Sequence, residues 1–233
     1  MTDVDVVVRP NEDGHVLVHA DSLLCRYEQG FDLVLTSPPF YHPTRRTSPH
    51  GLGFTGDLDA YARFVADVVV RCADSVRGKR VCILKTDVWH RGALLPLGFK
   101  IADACSAKGL RLRAHWVWRR MKGFSRYAPS FANVFVMGDG FSRPHVSGLF
   151  TETPSKRRQG MPSSFVPEIF GVLMDLLVPL GGVVLDPFAG VGGVLEAAAG
   201  HGRRSVGIEV SDIQIRRAGR RLAAIPGFVV RRG

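Results

Sequence analysis

Val183-Val184-Leu185-Asp186-Pro187-Phe188-Ala189-Gly190-Val191-Gly192 is a short apolar run that ends in an acid and breaks into a glycine turn. Its first three residues read as a buried strand. A helix is expected to begin at Gly193 and run to His201, and Ser205 to Glu209 reads as a further strand that closes on a carboxylate. Glu209 stands roughly twenty residues beyond the glycine turn, the offset expected for an acid that binds a ribose. The unit lacks the full dinucleotide fingerprint and could be an ordinary strand-helix-strand turn. Its setting favours a nucleoside-bearing cofactor, and the absence of a Gly-Lys-Ser/Thr ending disfavours a phosphate-cradling nucleotide site.

A second motif closes another apolar run near the start. Phe31 to Thr36 reads as a buried strand and delivers Ser37-Pro38-Pro39-Phe40. Both motifs then lie at strand carboxyl ends, where open α/β sheets bind ligands. Two successive prolines stiffen the backbone and remove two amide donors, which leaves carbonyl oxygens free to accept hydrogen bonds. The Pro38 carbonyl and the Ser37 hydroxyl could take the protons of an exocyclic amine, and Phe40 could stack on the base. The plain alternative is a strand-ending turn with a buried Phe.

Between these motifs the pattern alternates strand and helix. Asp57 is placed to cap a helix with Leu58, Tyr61, Val65, Val68, Val69, Cys72 and Val76 on one face, ended by Gly78. Val81 to Leu84 is a buried strand, Leu94 to Lys108 an interrupted helix, and Leu110 to Trp118 and Val134 to Met137 two more strands. Trp116 and Trp118 fall on one side of their strand, so core packing is expected for at least one. Phe165 to Val178 is an amphipathic helix. Asp212 is expected to cap the last helix, with Ile215, Ala218 and Leu222 inward and Arg216, Arg217, Arg220 and Arg221 on a solvated face. Val4 to Arg9 and Val16 to Ala20 are β-like runs on either side of a turn-forming sequence. The whole implies an α/β fold with a mostly parallel sheet.

The chain has 233 residues, room for one α/β domain over 1–233. No apolar stretch is long enough to span a membrane and no signal peptide is evident, so a cytoplasmic protein with no membrane partner is expected. The four cysteines fall singly and the eight histidines are scattered, which gives no metal motif. A formal charge of +10 predicts attraction to polyanions that weakens with salt.

The two motifs together resemble a known family, the amino-DNA methyltransferases that use S-adenosylmethionine. TSPPF is similar to their catalytic motif, DPFAGVG to their methionine-binding motif, and GRRSVGIEV to their ribose-binding strand. Pro162 to Leu177 resembles the segment that precedes the cofactor loop, and His19-Ala20-Asp21-Ser22 resembles the adenine-side motif. Catalytic motif first and cofactor motif last is the order of the permuted β group of prokaryotic and phage enzymes, and Ser before Pro-Pro is similar to the cytosine-N4 version. The resemblance implies a Rossmann-like class I methyltransferase fold with circularly permuted motif order and helices on both faces. It also implies direct in-line transfer of a methyl group to the N4 amine of a flipped cytosine in DNA.

By the same resemblance, Ser37, Pro38, Pro39 and Phe40 form the catalytic set. Asp21, Ser163, Ser164, Phe165, Asp186, Phe188, Ala189, Gly190, Gly192 and Glu209 form the S-adenosylmethionine site. Arg45, Arg46, Arg119, Arg120, Lys122, Arg126, Lys156, Arg157 and Arg158 are candidates for DNA phosphate contact. Two departures stand out. The hydroxyls common in the family's glycine loop are missing from Gly190 to Val194, and a strand glutamate is replaced near Asn133. Only Gly138 to Met161, read as a loop, is available as a target-recognition region, so a homodimer or a specificity partner stays open. Adenine-N6 methylation, an RNA or small-molecule amine substrate, and a non-catalytic nucleic-acid-binding module are the alternative readings.

Overall fold

A computed structural model describes residues 6–11, 13–42, 54–119, 131–141, 148–151 and 167–233. Among these residues nine strands form the central sheet: β1 (His15–His19), β2 (Leu33–Thr36), β3 (Val81–Lys85), β4 (Leu112–Arg119), β5 (Phe131–Met137), β6 (Leu149–Thr151), β7 (Val183–Asp186), β8 (Arg204–Glu209) and β9 (Phe228–Arg232). Their spatial order is β6-β4-β5-β3-β2-β7-β8-β1-β9. Every neighbouring pair is parallel except the two made by β5, which runs against both β3 and β4. The carboxyl ends of all the other strands therefore share one rim.

Among the described residues, five α-helices cover the sheet: α1 (Leu58–Ala73), α2 (Leu97–Ala107), α3 (Pro167–Leu177), α4 (Gly193–Gly200) and α5 (Asp212–Leu222). Side chains alternate across each strand, so one sequence supplies two cores. Val34, Ile83, Leu185 and Ile208 pack with α1 and α2 on one face. Leu35, Leu84, Val134 and Val184 pack with α3 and α4 on the other. Leu17, Leu195, Ala218 and Leu222 extend that second face under α5. Both Trp116 and Trp118 are buried in the second core, as their alternation requires. All four cysteines are free and buried, and among the described residues no helix is long and apolar enough to cross a membrane.

The structure corrects several boundaries. Asp57 does cap α1, its carboxylate accepting from the Asp59 and Ala60 amides, but the helix ends at Ala73 and Gly78 lies in a separate 3-10 turn. The interruption expected between Leu94 and Lys108 is Pro96, before which Val88–His90 and Ala93–Leu95 pair as a small hairpin. Leu149–Thr151 is an edge strand rather than loop. Val7–Val8 pairs in parallel with Arg26–Tyr27 and not across the Asp13-Gly14 turn. Ser211, not Asp212, occupies the N-cap of α5. Arg221 leaves the solvated row, since its guanidinium is nearly buried and bonds Glu196 on α4.

One glycine shows how tightly β8 backs the glycine turn. A Cβ at Gly207 would lie 2.7 Å from Leu195 Cδ1 and 2.8 Å from the Ala189 Cβ. Gly207→Ala is expected to lower the unfolding free energy by about 1–3 kcal/mol through overpacking, measured by urea denaturation.

Candidate active site

The direction in which successive strands are added to the sheet reverses between β2 and β7. From β7 the chain passes through α4 to β8 on one side, and from β2 through α1 to β3 on the other. The two strands are hydrogen-bonded neighbours, with Leu33 opposite Val184 and Val34 opposite Leu185. Such a switch point opens a crevice beyond the carboxyl ends, where the two connections diverge. The proline turn leaves β2 there and the glycine turn leaves β7. Thr36 Oγ1 donates to Asp186 Oδ1 at 2.7 Å in a buried bond that ties the roots of the two turns together.

Asp186 is nearly inaccessible, and burial pushes its carboxyl up to about 7 against the opposing bonds from Thr36 and the Phe188 amide. That amide donates to Oδ1 at 3.1 Å, so the carboxylate also shapes the start of the turn. Gly190 and Gly192 adopt left-handed φ of 54° and 81°. A Cβ at Gly190 would have only the Phe188 carbonyl oxygen within 4 Å, at 3.9 Å, whereas one at Gly192 would strike Leu222 at 2.5 Å. Gly190 thus turns an open side outward and Gly192 closes against α5. Ala189 is buried and donates its amide to the Ile208 carbonyl at 2.9 Å. Phe188 is half-buried, its ring 6.0 Å from that of Phe64.

Glu209 ends β8 beside this turn. Its Oε2 accepts from the Gly190 amide at 2.9 Å and its Oε1 from the Ser211 amide at 2.7 Å. Burial raises its pKa, and these amide bonds oppose the rise. The acid expected for a ribose braces the glycine turn. Asp21 is exposed, and its Oδ1 accepts from the Leu23 amide at 2.9 Å. Its neighbour Ser22, the last residue of the adenine-side resemblance, donates its hydroxyl to the Pro187 carbonyl at 2.5 Å and pins the segment after β1 to the glycine turn.

On the opposite wall, Ser37 is half-buried and Phe40 is 53% exposed. The exposed ring removes the plain alternative of a buried core Phe. The carbonyls of the turn, expected to be free, are engaged. Lys85 Nζ donates to the Pro38 oxygen at 3.0 Å and to the Pro39 oxygen at 2.7 Å. The Tyr61 hydroxyl donates to Pro39 as well, at 2.8 Å. A carbonyl oxygen has two lone pairs, so one bond at Pro38 leaves acceptor capacity. Lys85 is buried at the end of β3, and desolvation lowers its pKa to about 7, with Asp87 opposing the shift.

Asp87 belongs to a buried polar chain. It accepts from the Gly98 amide in the first turn of α2 at 3.2 Å and from Asn133 Nδ2 at 2.9 Å. Asn133 Oδ1 lies 2.9 Å from His115 Nε2, and its role as acceptor there assigns the proton to Nε2. Asn133, which stands where the family's glutamate was expected, thus serves to hold Asp87.

The roles of Lys85, Tyr61, Thr36 and Ser22 escape sequence reasoning. The one available signal is a lysine directly after a buried strand parallel to the one that delivers Ser37. Arg119 ends β4 on the same rim and is exposed. Arg45, Arg46, Arg120, Lys122, Arg126, Lys156, Arg157, Arg158, Ser163, Ser164 and Phe165 lie outside the described residues.

No family model matches the chain and no curated protein matches it. Solved structures do. A Thermus thermophilus protein assigned as a DNA modification methylase, complexed with S-adenosyl-L-methionine, aligns at a TM-score of 0.73 and 23% identity, over 94% of this chain and 97% of that one. PvuII DNA methyltransferase, cytosine-N4-specific, aligns at 0.72 and 15% identity, over 91% and 88%. The complex of M1.HpyAVI with SAM aligns at 0.58 and 15%, over 89% and 99%. The chain has the fold of these methyltransferase structures.

The buried Asp186 sets a pH dependence of stability. Its folded pKa lies above its unfolded value, so from about pH 4 to 7 the native state binds more protons than the unfolded one. Its contribution is fully favourable below that window and is lost as pH rises through it. Asp186→Asn is expected to flatten this part of the profile relative to the wild type, as read from urea unfolding between pH 4 and 8. An unchanged slope would show that Asp186 does not titrate there.

Proposed function

We propose that this chain is an S-adenosylmethionine-dependent DNA methyltransferase acting on the exocyclic N4 amine of cytosine. The observation that carries the reading is the meeting of Ser37-Pro38-Pro39-Phe40 and Asp186 to Gly192 at the switch point of a parallel sheet, joined by the Thr36–Asp186 bond. The shared fold with the methylase structures supports it.

The residues present suit that cofactor. Asp186 to Gly193 contains no lysine or arginine to face a polyphosphate, and the two carboxylates at the strand ends suit a cationic amino-acid and ribose portion. Gly190 leaves an open cradle that any side chain would fill. S-adenosylmethionine, when bound, would supply an electrophilic methyl group and depart as the neutral thioether, and the methylated amine would give up one proton to solvent.

This chain's own residues then have to hold an amine. Ser37 and the second lone pair of Pro38 accept its protons, which directs the nitrogen lone pair away from the turn and toward the glycine wall. Phe40 offers its exposed ring to the face of the base. Extruding that base costs a few kcal/mol, offset by stacking on Phe40 and by basic groups on the rim such as Arg119. No cysteine nucleophile enters, because the amine itself attacks and the four thiols are buried in the cores.

Incubated at low salt with methyl-labelled cofactor and mixed DNA, the protein is expected to place label in N4-methylcytosine after digestion to nucleosides. Label in N6-methyladenine would reassign the base, and equal turnover on RNA or free nucleosides would reassign the substrate. No labelled base at all would defeat the reading. Ser37→Ala is expected to reduce kcat about 10²-fold through loss of orientation, with cofactor affinity little changed.

A further inference from the structure

Lys85 is a buried amine that donates to two backbone oxygens of the proline turn. Its Nζ also lies 5.3 Å from the centre of the Tyr61 ring and 5.9 Å from that of Phe40. The apolar core alone gives no reason for a lysine at the end of Val81–Lys85, since the four residues before it are buried and uncharged. Burying an amine is costly unless its donors are used, and here they are used on Pro38 and Pro39.

We propose that Lys85 is a positioning residue for methyl transfer, holding the Pro38 carbonyl in the direction that the target amine needs. The inference rests on the methyltransferase reading of the site.

Three elements enforce the placement. β3 pairs with β2 in parallel, with Thr36 opposite Ile83, so Lys85 extends beside the turn that leaves β2. β5 pairs on the other side, with Asn133 opposite Lys85. Tyr61, from α1, meets the same Pro39 oxygen. Pro38 and Pro39 have no amides with which to brace the turn. Lys85 and Tyr61 act as that missing brace from outside.

The charge state of the brace bears on the chemistry. A nitrogen that gains a methyl group develops positive charge, and a cation one atom beyond its acceptor opposes this. A neutral amine still has two protons for two carbonyls, so it keeps the geometry and relieves the repulsion. The groups around Nζ are Asp87, two residues beyond β3, the Tyr61 phenol on α1 and the uncharged Asn133 opposite Lys85 on β5. Burial favours the neutral form and Asp87 the charged one, with a balance near neutral pH. Turnover is therefore expected to rise with pH through about 7.

Lys85→Met removes the donors at similar length, and Lys85→Arg keeps donors with a permanent charge. Both variants should bind S-adenosylmethionine within about threefold of the wild type, since the glycine wall is intact. For Lys85→Met, kcat should fall about 10²-fold, the scale of a small misplacement of a reacting group, with loss of the inflection near pH 7. Lys85→Arg should be slow and flat with pH. A Lys85→Met protein with kcat within twofold of the wild type would overturn the proposal. So would an equal loss of cofactor binding.

Proline-selective carbonyl 13C NMR separates this inference from the methyltransferase reading, because it needs no turnover. The Pro38 and Pro39 resonances should move in Lys85→Met and should titrate near pH 7 in the wild type. If they do so in a protein that methylates no DNA, the brace stands and the assigned reaction fails. If they stay fixed in both, the brace itself is wrong.

Discussion

A single buried hydrogen bond, from the Thr36 hydroxyl to the Asp186 carboxylate, joins residues 150 positions apart and holds the site together. It spans the point where the sheet changes its direction of winding. Two strands that diverge in their connections need something to fix the spacing of the loops they release. Backbone pairing does this at Leu33 and Val34, and the side-chain bond extends it to the last residue before each turn. The proline and glycine turns therefore face each other across a defined gap.

Around that bond the fold gathers several buried polar groups. Both cores are almost wholly apolar, alternating Val, Leu and Ile across the sheet. Asp186, Glu209, Asp87 and Lys85 occur at strand carboxyl ends, and each has its pKa moved by burial toward the neutral form. Each also has bonds to backbone or side-chain groups, so none carries the full desolvation cost of an isolated charge. Ionisable groups set against stability in this way concentrate at working sites, where catalysis needs a tuned charge.

How far the site was legible depended on whether its chemistry lay along the chain. Ser37 to Phe40 and Asp186 to Gly192 were readable because proline and glycine announce turns and an apolar run announces the strand before each. Lys85 was not, since nothing local distinguishes a surface lysine after a strand from one driven beneath a neighbouring turn. Its meaning comes from parallel pairing of β3 with β2. Arg221 looked like its solvated neighbours for the same reason, and its partner Glu196 sits on another helix. The hairpin before Pro96 and the edge strand Leu149–Thr151 were lost because both are short, and short strands take their identity from what they pair with.

The order of elements, the mostly parallel α/β class and the two turns were determined by sequence alone, through hydrophobic periodicity and the backbone limits of proline and glycine. Tertiary structure decided which strands are neighbours, and with that everything that acts between segments. It brought Thr36 to Asp186, turned Glu209 onto Gly190, and placed the Lys85 amine against carbonyls expected to be free. The physical reason is range. Periodicity and dihedral preference act over a few residues, whereas a buried hydrogen bond exists only once the sheet has set which distant groups must satisfy each other.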